Sequence, residues 1–230
     1  MHRISRRDFL KLGAAAGIGA ALLGKRETVN AYLPEFPDAP QLGRLFHTTD
    51  IKTKPSPDSE TVETLYEDNV VIWLREVIGE PPSLYSTSRR WIETPRGYIQ
   101  SISAQPVKSL LNTPVSSLPA ASQGKGFWVE VTVPYVDLFL ANPPARAPLL
   151  QEWTNPRFYY SQIFWVDDMR TNDQGEVEYH VIERHGSYGD TFWADARAFK
   201  PLTQDDVSPI SPNVADKKIV VDLNHQTVSC

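Results

Sequence analysis

The sequence predicts an all-β protein: two small β barrels in tandem, followed by an incomplete β-hairpin that opens a third β domain. Three observations carry this. The 230 residues include nineteen prolines and twelve glycines beside nine tyrosines, nine phenylalanines and six tryptophans, a composition of short strands and many turns rather than long helices. Strand-like runs recur about every ten residues between turn signals, the rhythm of a small barrel. The two halves also rhyme in the order of their motifs, as two copies of one supersecondary unit do.

The N-terminus comes first. Ser5-Arg6-Arg7-Asp8-Phe9-Leu10-Lys11 fills every fixed position of the pattern S-R-R-x-F-L-K. An uncharged stretch rich in Ala and Gly follows over residues 12–23, shorter than the roughly 20 apolar residues a membrane span needs. Lys25 and Arg26 add charge on its far side, and Val29-Asn30-Ala31 places small residues where a signal peptidase reads. Residues 1–31 therefore read as a twin-arginine export signal, with Ser5, Arg6, Arg7, Phe9, Leu10 and Lys11 as the recognised positions. Cleavage is expected after Ala31, so that the mature chain starts at Tyr32. Such a signal is an address read by a receptor, not an anchor. The competing reading is a basic amphipathic N-terminus that stays in the cytosol.

Residues 32–42 carry three prolines and read as an extended leader. A first unit is expected over 43–107. Leu45-Phe46-His47-Thr48-Thr49 and Ile51-Lys52-Thr53-Lys54 are short runs closed by Pro55-Ser56-Pro57. Residues 61–66 alternate into the turn Glu67-Asp68-Asn69, and residues 70–77 form the strongest strand of this half. A polar hairpin tip over 79–90 leads to the return strand Trp91-Ile92-Glu93-Thr94, then Pro95-Arg96-Gly97 turns the chain into Tyr98-Ile99-Gln100. The Ser/Pro/Ala-rich stretch 108–125 reads as a linker or a long exchanged connection.

A second unit is expected over 126–203. Residues 127–133 alternate with period two, as a half-buried strand does. Residues 142–148 make a proline-rich loop, and 157–166 an aromatic strand. Asn172-Asp173-Gln174-Gly175 is a hairpin turn, 177–183 returns, and Phe192-Trp193-Ala194 closes the unit. Side by side, Ile72-Trp73-Leu74 matches Phe164-Trp165-Val166, and Trp91-Ile92-Glu93 matches Tyr179-His180-Val181. Gly97-Tyr98-Ile99 likewise matches Phe192-Trp193-Ala194, and Gln105-Pro106-Val107 matches Lys200-Pro201-Leu202.

Net charge is −5 and no basic block occurs outside the signal, which argues against a nucleic-acid partner. Nothing suggests a stable membrane anchor once the signal is removed. The single cysteine, Cys230, leaves an exported chain without an internal disulfide, so packing must hold it together.

Candidate chemistry is sparse. Cys230 lacks the fixed cationic surroundings that turn a thiol into a nucleophile. His180 and His185 bracket Glu183 but stand five apart, facing opposite sides of a strand, so no metal is expected. The acids Asp167-Asp168, Asp205-Asp206 and Asp190 suggest a glycosidase pair only if they converge, and adjacent strand residues diverge. Neither a glycine-rich phosphate loop nor a G-x-S-x-G elbow is present, and no cofactor or catalytic residue is expected. Most aromatics, Trp73, Trp91, Trp165 and Tyr98 among them, read as core. Tyr188, Phe192 and Trp193 flank the 186–190 turn, where an exposed ring can stack on a sugar or a stem peptide; they are the candidate ligand-binding residues, with Trp153 and Tyr159 also beside loops, and for each the competing role is core or domain interface.

The first unit resembles a bacterial Src-homology-3-like domain, through Lys54-Pro55-Ser56-Pro57, the strand 70–73, Trp91 and Gly97-Tyr98-Ile99. The second resembles a divergent copy, most individual at residues 128–135. Residues 216–230 are similar to the opening hairpin of an L,D-transpeptidase catalytic domain, which begins with a Lys-Ile-Val-Val-Asp-Leu strand like that from Lys218 to Leu223. The resemblance implies a thiolate nucleophile, an activating His and a backbone oxyanion hole further along, in a Ser-His-Gly-Cys-like motif this sequence does not contain. It therefore implies the N-terminal targeting and wall-facing region of an exported peptidoglycan-crosslinking enzyme, cut off before its active site and inactive alone. Its partners would be peptidoglycan and the twin-arginine export machinery. The rival is a free-standing, non-enzymatic protein that binds peptidoglycan or another ligand. A reading frame continuing past Cys230 into that motif would decide between them.

Overall fold

The computed structural model describes residues 33–81, 88–121, 124–152, 156–182, 188–215 and 217–229. The all-β expectation holds, in antiparallel sheets that stay open rather than closing into hydrogen-bonded barrels among these residues.

In the first unit, β1 (Leu42–Leu45), β2 (Thr49–Lys52), β3 (Thr61–Leu65), β4 (Val70–Ile72), β5 (Arg75–Ile78), β6 (Arg90–Thr94), β7 (Gly97–Gln100) and β8 (Ala104–Val107) make two sheets. Their orders are β4-β1-β8 and β3-β2-β7-β6-β5. The sheets share a core of Leu45, Ile51, Leu65, Val71, Trp73, Ile92, Ile99 and Ala104. The run 70–77, expected as one strand, is two. The chain leaves β4 at Trp73, whose ring is buried in that core, and enters the other sheet at Leu74, whose N–H donates to the Glu93 carbonyl at 2.9 Å. Each fully buried side chain of this kind contributes about 1.5–3 kcal/mol relative to exposure.

The second unit follows a two-residue pair, β9 (Ala120–Ala121) with β10 (Gly124–Lys125). Its strands are β11 (Phe127–Val131), β12 (Tyr135–Asp137), β13 (Phe139–Leu140), β14 (Arg157–Tyr159), β15 (Ile163–Thr171), β16 (Val177–Ile182), β17 (Thr191–Asp195) and β18 (Phe199–Pro201). They form the sheet β13-β17-β16-β15-β11-β18 and the pair β12-β14. The sequence rhyme is a topological one. In each unit a first strand pairs with the opening of a meander (β1 with β4, β11 with β15) and with the last strand (β8, β18). A 3-10 turn, at 101–103 and at 196–198, precedes that last strand both times.

The stretch read as a linker lies along the second unit. Leu110 N–H donates to the Thr132 carbonyl (2.9 Å), Asn112 N–H to the Arg197 carbonyl (2.9 Å) and Val115 N–H to the Tyr179 hydroxyl (2.8 Å), while Val115 and Leu118 pack on the core.

Beyond residue 203, β19 (Val220–Asp222) and β20 (Thr227–Ser229) pair with each other, leaving Ile219 74% and Leu223 84% exposed. Truncating the chain after residue 215 is therefore expected to leave the melting temperature within about 1 °C of wild type. A drop of several degrees in a thermal scan would show the hairpin packed on the second unit.

Candidate functional site

Period-two alternation divides the three candidate aromatics. Phe192 lies in the core, 2% exposed, its ring edge-on to Phe158 at 5.6 Å. Trp193, next along β17, points to the opposite face of the sheet and is half-buried. Tyr188 heads the turn before β17 with φ +55° and is 72% exposed. That turn is fixed from beneath. The buried Asp190 carboxylate accepts from the backbone N–H of Arg146 and Ala147 (2.8 Å to the latter), and Asn142 clamps Gly189 and Thr191 with 3.0 Å bonds at both ends of its amide. The proline-rich loop 142–147 and the turn are thus one rigid edge.

Around Trp193 the outer face of the sheet is polar and ordered. Its cross-strand neighbours are Phe139 on β13 and His180 on β16, the imidazole 5.0 Å from the indole. A bulge in β15 between Val166 and Asp168 makes Asp167 the extra residue and aims it across the face, where it meets His180 Nδ1 at 2.5 Å. Arg170 lays its guanidinium 4.1 Å over the Trp193 ring. Its charge is met by Glu178, which accepts from Arg170 at 2.6–2.7 Å and is only 2% exposed. Glu178 stands directly opposite Asp195, an unfavourable pairing of like charges. Arg197 offsets it, bonding both Asp195 oxygens and Glu176, and those carboxylates, Asp195 first, raise its pKa.

No group of three or more His, Cys, Asp or Glu that could hold a metal occurs among the described residues. The acids do not converge: Asp167 faces His180, Asp168 accepts from Met169 N–H (2.8 Å), and Asp206 is held far below the usual carboxylate range by Lys200 and then by Thr203. A polar cleft of about 300 Å³ in the first unit is lined by His47, Asp50, Lys52 and Gln100. There the Thr64 hydroxyl donates to Asp50 and lowers its pKa.

Ser5, Arg6, Arg7, Phe9, Leu10, Lys11, Ala31, Trp153, Glu183, His185 and Cys230 lie outside the described residues. Tyr159, a loop-side aromatic with a domain interface as its competing role, stands at the junction of the two units. Its hydroxyl is 3.4 Å from Asp68, and its ring is 4.1 Å from the Arg44 guanidinium. Sequence reasoning missed that junction, where Asp68 bonds Arg44 (2.6 Å) and Arg157 (2.8 Å). Arg157 is partly buried, which alone would lower its pKa, but the Asp137 and Asp68 carboxylates outweigh this and raise it.

Residues 3–22 match the family model of the twin-arginine translocation pathway signal sequence. No curated protein matches the chain significantly. The protein carries a twin-arginine signal and is exported from the cytoplasm by that machinery. Among the described residues no helix is long and apolar enough to cross a membrane.

Proposed function

We propose that this exported protein is the wall-facing, N-terminal region of a peptidoglycan L,D-transpeptidase. Its two Src-homology-3-like units place a crosslinking domain against the cell wall, and residues 216–230 open that domain. The observation that carries this reading is the terminal hairpin. Val221 and Val228 are exposed on two strands whose outer edges are unpaired among the described residues, Ile219 and Leu223 are exposed at the ends of the first, and a groove of about 990 Å³ opens beside them between Ile210, Val214 and Ile219. Apolar strands with free edges call for further strands of the same domain. The resemblance supplies the chemistry: a Cys thiolate in that domain attacks the acyl-donor peptide carbonyl, the C–N bond breaks and its amine leaves, and an amine of a second stem peptide takes the acyl group from the thioester and frees the thiolate.

The binding part of the reading rests on Trp193 and Tyr188. Trp193 offers an indole braced by Arg170, with His180 and Asp167 as hydrogen-bonding neighbours, and Tyr188 extends from a fixed turn. Rings so placed cover sugar faces or peptide methyls, each good contact giving about 1 kcal/mol. A few such contacts yield millimolar to ten-micromolar affinity, useful through the local concentration they give a tethered catalytic domain.

The mature chain is expected to sediment with purified sacculi, and Trp193→Ala to weaken retention about fivefold with its circular dichroism unchanged. If wild type does not sediment, the units are spacers and the wall-binding part fails. The same Trp193 surface favours the second reading, a non-enzymatic peptidoglycan-binding protein. A stop codon directly after Cys230 would leave that reading and remove the transpeptidase.

A further inference from the structure

The first unit holds a small polar cleft of its own, on the outer side of β2, β7 and β6. Ile51 and Ile92 face the core, so their neighbours Asp50, Lys52 and Trp91 point to the other side of the sheet. Gln100 stands opposite Trp91 and shares that side. The indole is nevertheless only 1% exposed, because the chain closes over it. Its N–H donates to the Glu80 carbonyl at 2.8 Å, and the Glu80 N–H to the Pro55 carbonyl at 2.9 Å. Residue 79 must be glycine for this closure, since a Cβ there would lie 2.1 Å from the Pro55 carbonyl oxygen. What remains open is a cleft of about 300 Å³ between Asp50, Lys52, Gln100, Ser103, Pro57 and Trp91, with exposed His47 at its rim.

The polar groups of this cleft are fixed in place without being used up. Asp50 accepts from the hydroxyls of Thr64 at 2.7 Å and Thr61 at 3.2 Å. Lys52 Nζ donates to Thr61 at 2.8 Å and stands 3.6 Å from the Asp50 carboxylate. A carboxylate has about four acceptor sites and an ammonium three donors, so both keep capacity toward the cleft. Ser103 is 4% exposed and lines the cleft, yet its hydroxyl bonds no group among the described residues. Buried hydroxyls nearly always have a partner, and the cleft is where this one can meet it.

We propose that this cleft binds an α-amino-acid zwitterion, its ammonium on Asp50 and Gln100 and its carboxylate on Lys52 and Ser103. An α-amino acid carries both charges on one carbon. Laid head to tail over the Asp50–Lys52 pair, it meets each charge with its opposite. A simple amine or a simple carboxylate gains one such contact and faces one like charge. The volume is at the low end for ligand pockets, which suits one group of this size rather than a polymer segment. Free amino acids present this chemistry, and so does the unlinked end of a diamino-dicarboxylic acid within a peptide. The site belongs to the first unit and does not depend on the Trp193 surface.

The test is a titration of the isotope-labelled chain, residues 32–230, followed by NMR at the amides of residues 47–52 and at the Gln100 side chain. Alanine is expected to bind saturably with a Kd of about 1 mM. N-acetylalanine and ethylamine, each with one of the two charges, should bind at least about tenfold more weakly. Asp50→Asn should weaken alanine binding about tenfold and Ser103→Ala about fivefold. The serine change removes a single hydroxyl, so it serves alone if the Asp50 variant unfolds. A tetrapeptide containing a diamino-dicarboxylic acid separates the two sources. Tighter binding than alanine at the same amides assigns the cleft to a peptide, and equal or weaker binding assigns it to the free amino acid. The proposal is overturned by the absence of a saturable shift with both alanine and the tetrapeptide, by equal binding of the one-charge ligands, or by unchanged affinity in the folded variants. The titration needs no sacculi, so its failure and the failure of wall binding are separate results.

Discussion

Replacing Asp68 by alanine is expected to destabilise the protein by about 3–5 kcal/mol, lowering the melting temperature by roughly 10 °C. Asp68 occupies a turn between β3 and β4 with φ +63°, its N–H donating to the Leu45 carbonyl at 3.0 Å. One carboxylate oxygen accepts from Arg44 of the first unit at 2.6 Å and the other from Arg157 of the second at 2.8 Å. The Arg44 and Asp68 side chains are 8% and 10% exposed, so both charges have left water. Alanine would leave Arg44 with only Gln105 as a side-chain acceptor, at 3.1 Å, and its Nε already lacks any partner. Arg157 keeps Asp137 at 2.7 Å and suffers less. An unpaired buried cation carries the larger share of the cost, and the lost bridge between the units adds to it. Asp68→Asn retains the turn and part of the bonding and should fall between. Calorimetry should show one transition in wild type and a lower or split one in Asp68→Ala. An unchanged melting temperature would mean that the junction contributes nothing and that the units are held together elsewhere.

That junction marks the boundary of what was legible in the sequence. Period-two runs and proline turns are local signals, and they located the strands and the rhyme between the halves, down to Pro106 opposite Gly43 and Pro201 opposite Val129. Asp68 and Arg157 are eighty-nine residues apart, and no local pattern couples them; in isolation Asp68 is only a turn residue. The candidate site was legible in place but not in orientation. Phe192, Trp193 and Ala194 are all apolar, so alternation could not say which ring faces the core. Phe158 and Phe164, stacked at 3.8 Å, form a surface that takes Phe192 and leaves Trp193 outside. Composition left one stretch open. The serines and prolines of 108–125 read equally as a linker or a long exchanged connection, and only the folded chain shows three backbone N–H groups there finding acceptors on Thr132, Arg197 and Tyr179.

Changing Arg6 and Arg7 together to lysine is expected to stop export, leaving unprocessed precursor in the cytoplasm and mature protein reduced by more than about tenfold. The pair lies inside the matched signal, residues 3–22. Lysine keeps each positive charge, so a receptor reading charge alone would still accept the variant. Guanidinium, however, presents a planar fork of donors that fits a carboxylate with two parallel bonds, and an ammonium cannot reproduce it. With cleavage after Ala31 the mature chain contains neither residue, so the mature part should melt at the wild-type temperature. Asp68→Ala supplies the complementary case, an intact signal on a weakened body. Because the twin-arginine route carries folded cargo, its export should fall only as far as its folded fraction at the growth temperature falls. Pulse-chase labelling with fractionation separates the two effects. Normal trimming of the double-lysine variant would mean that this pair is not what the export machinery reads.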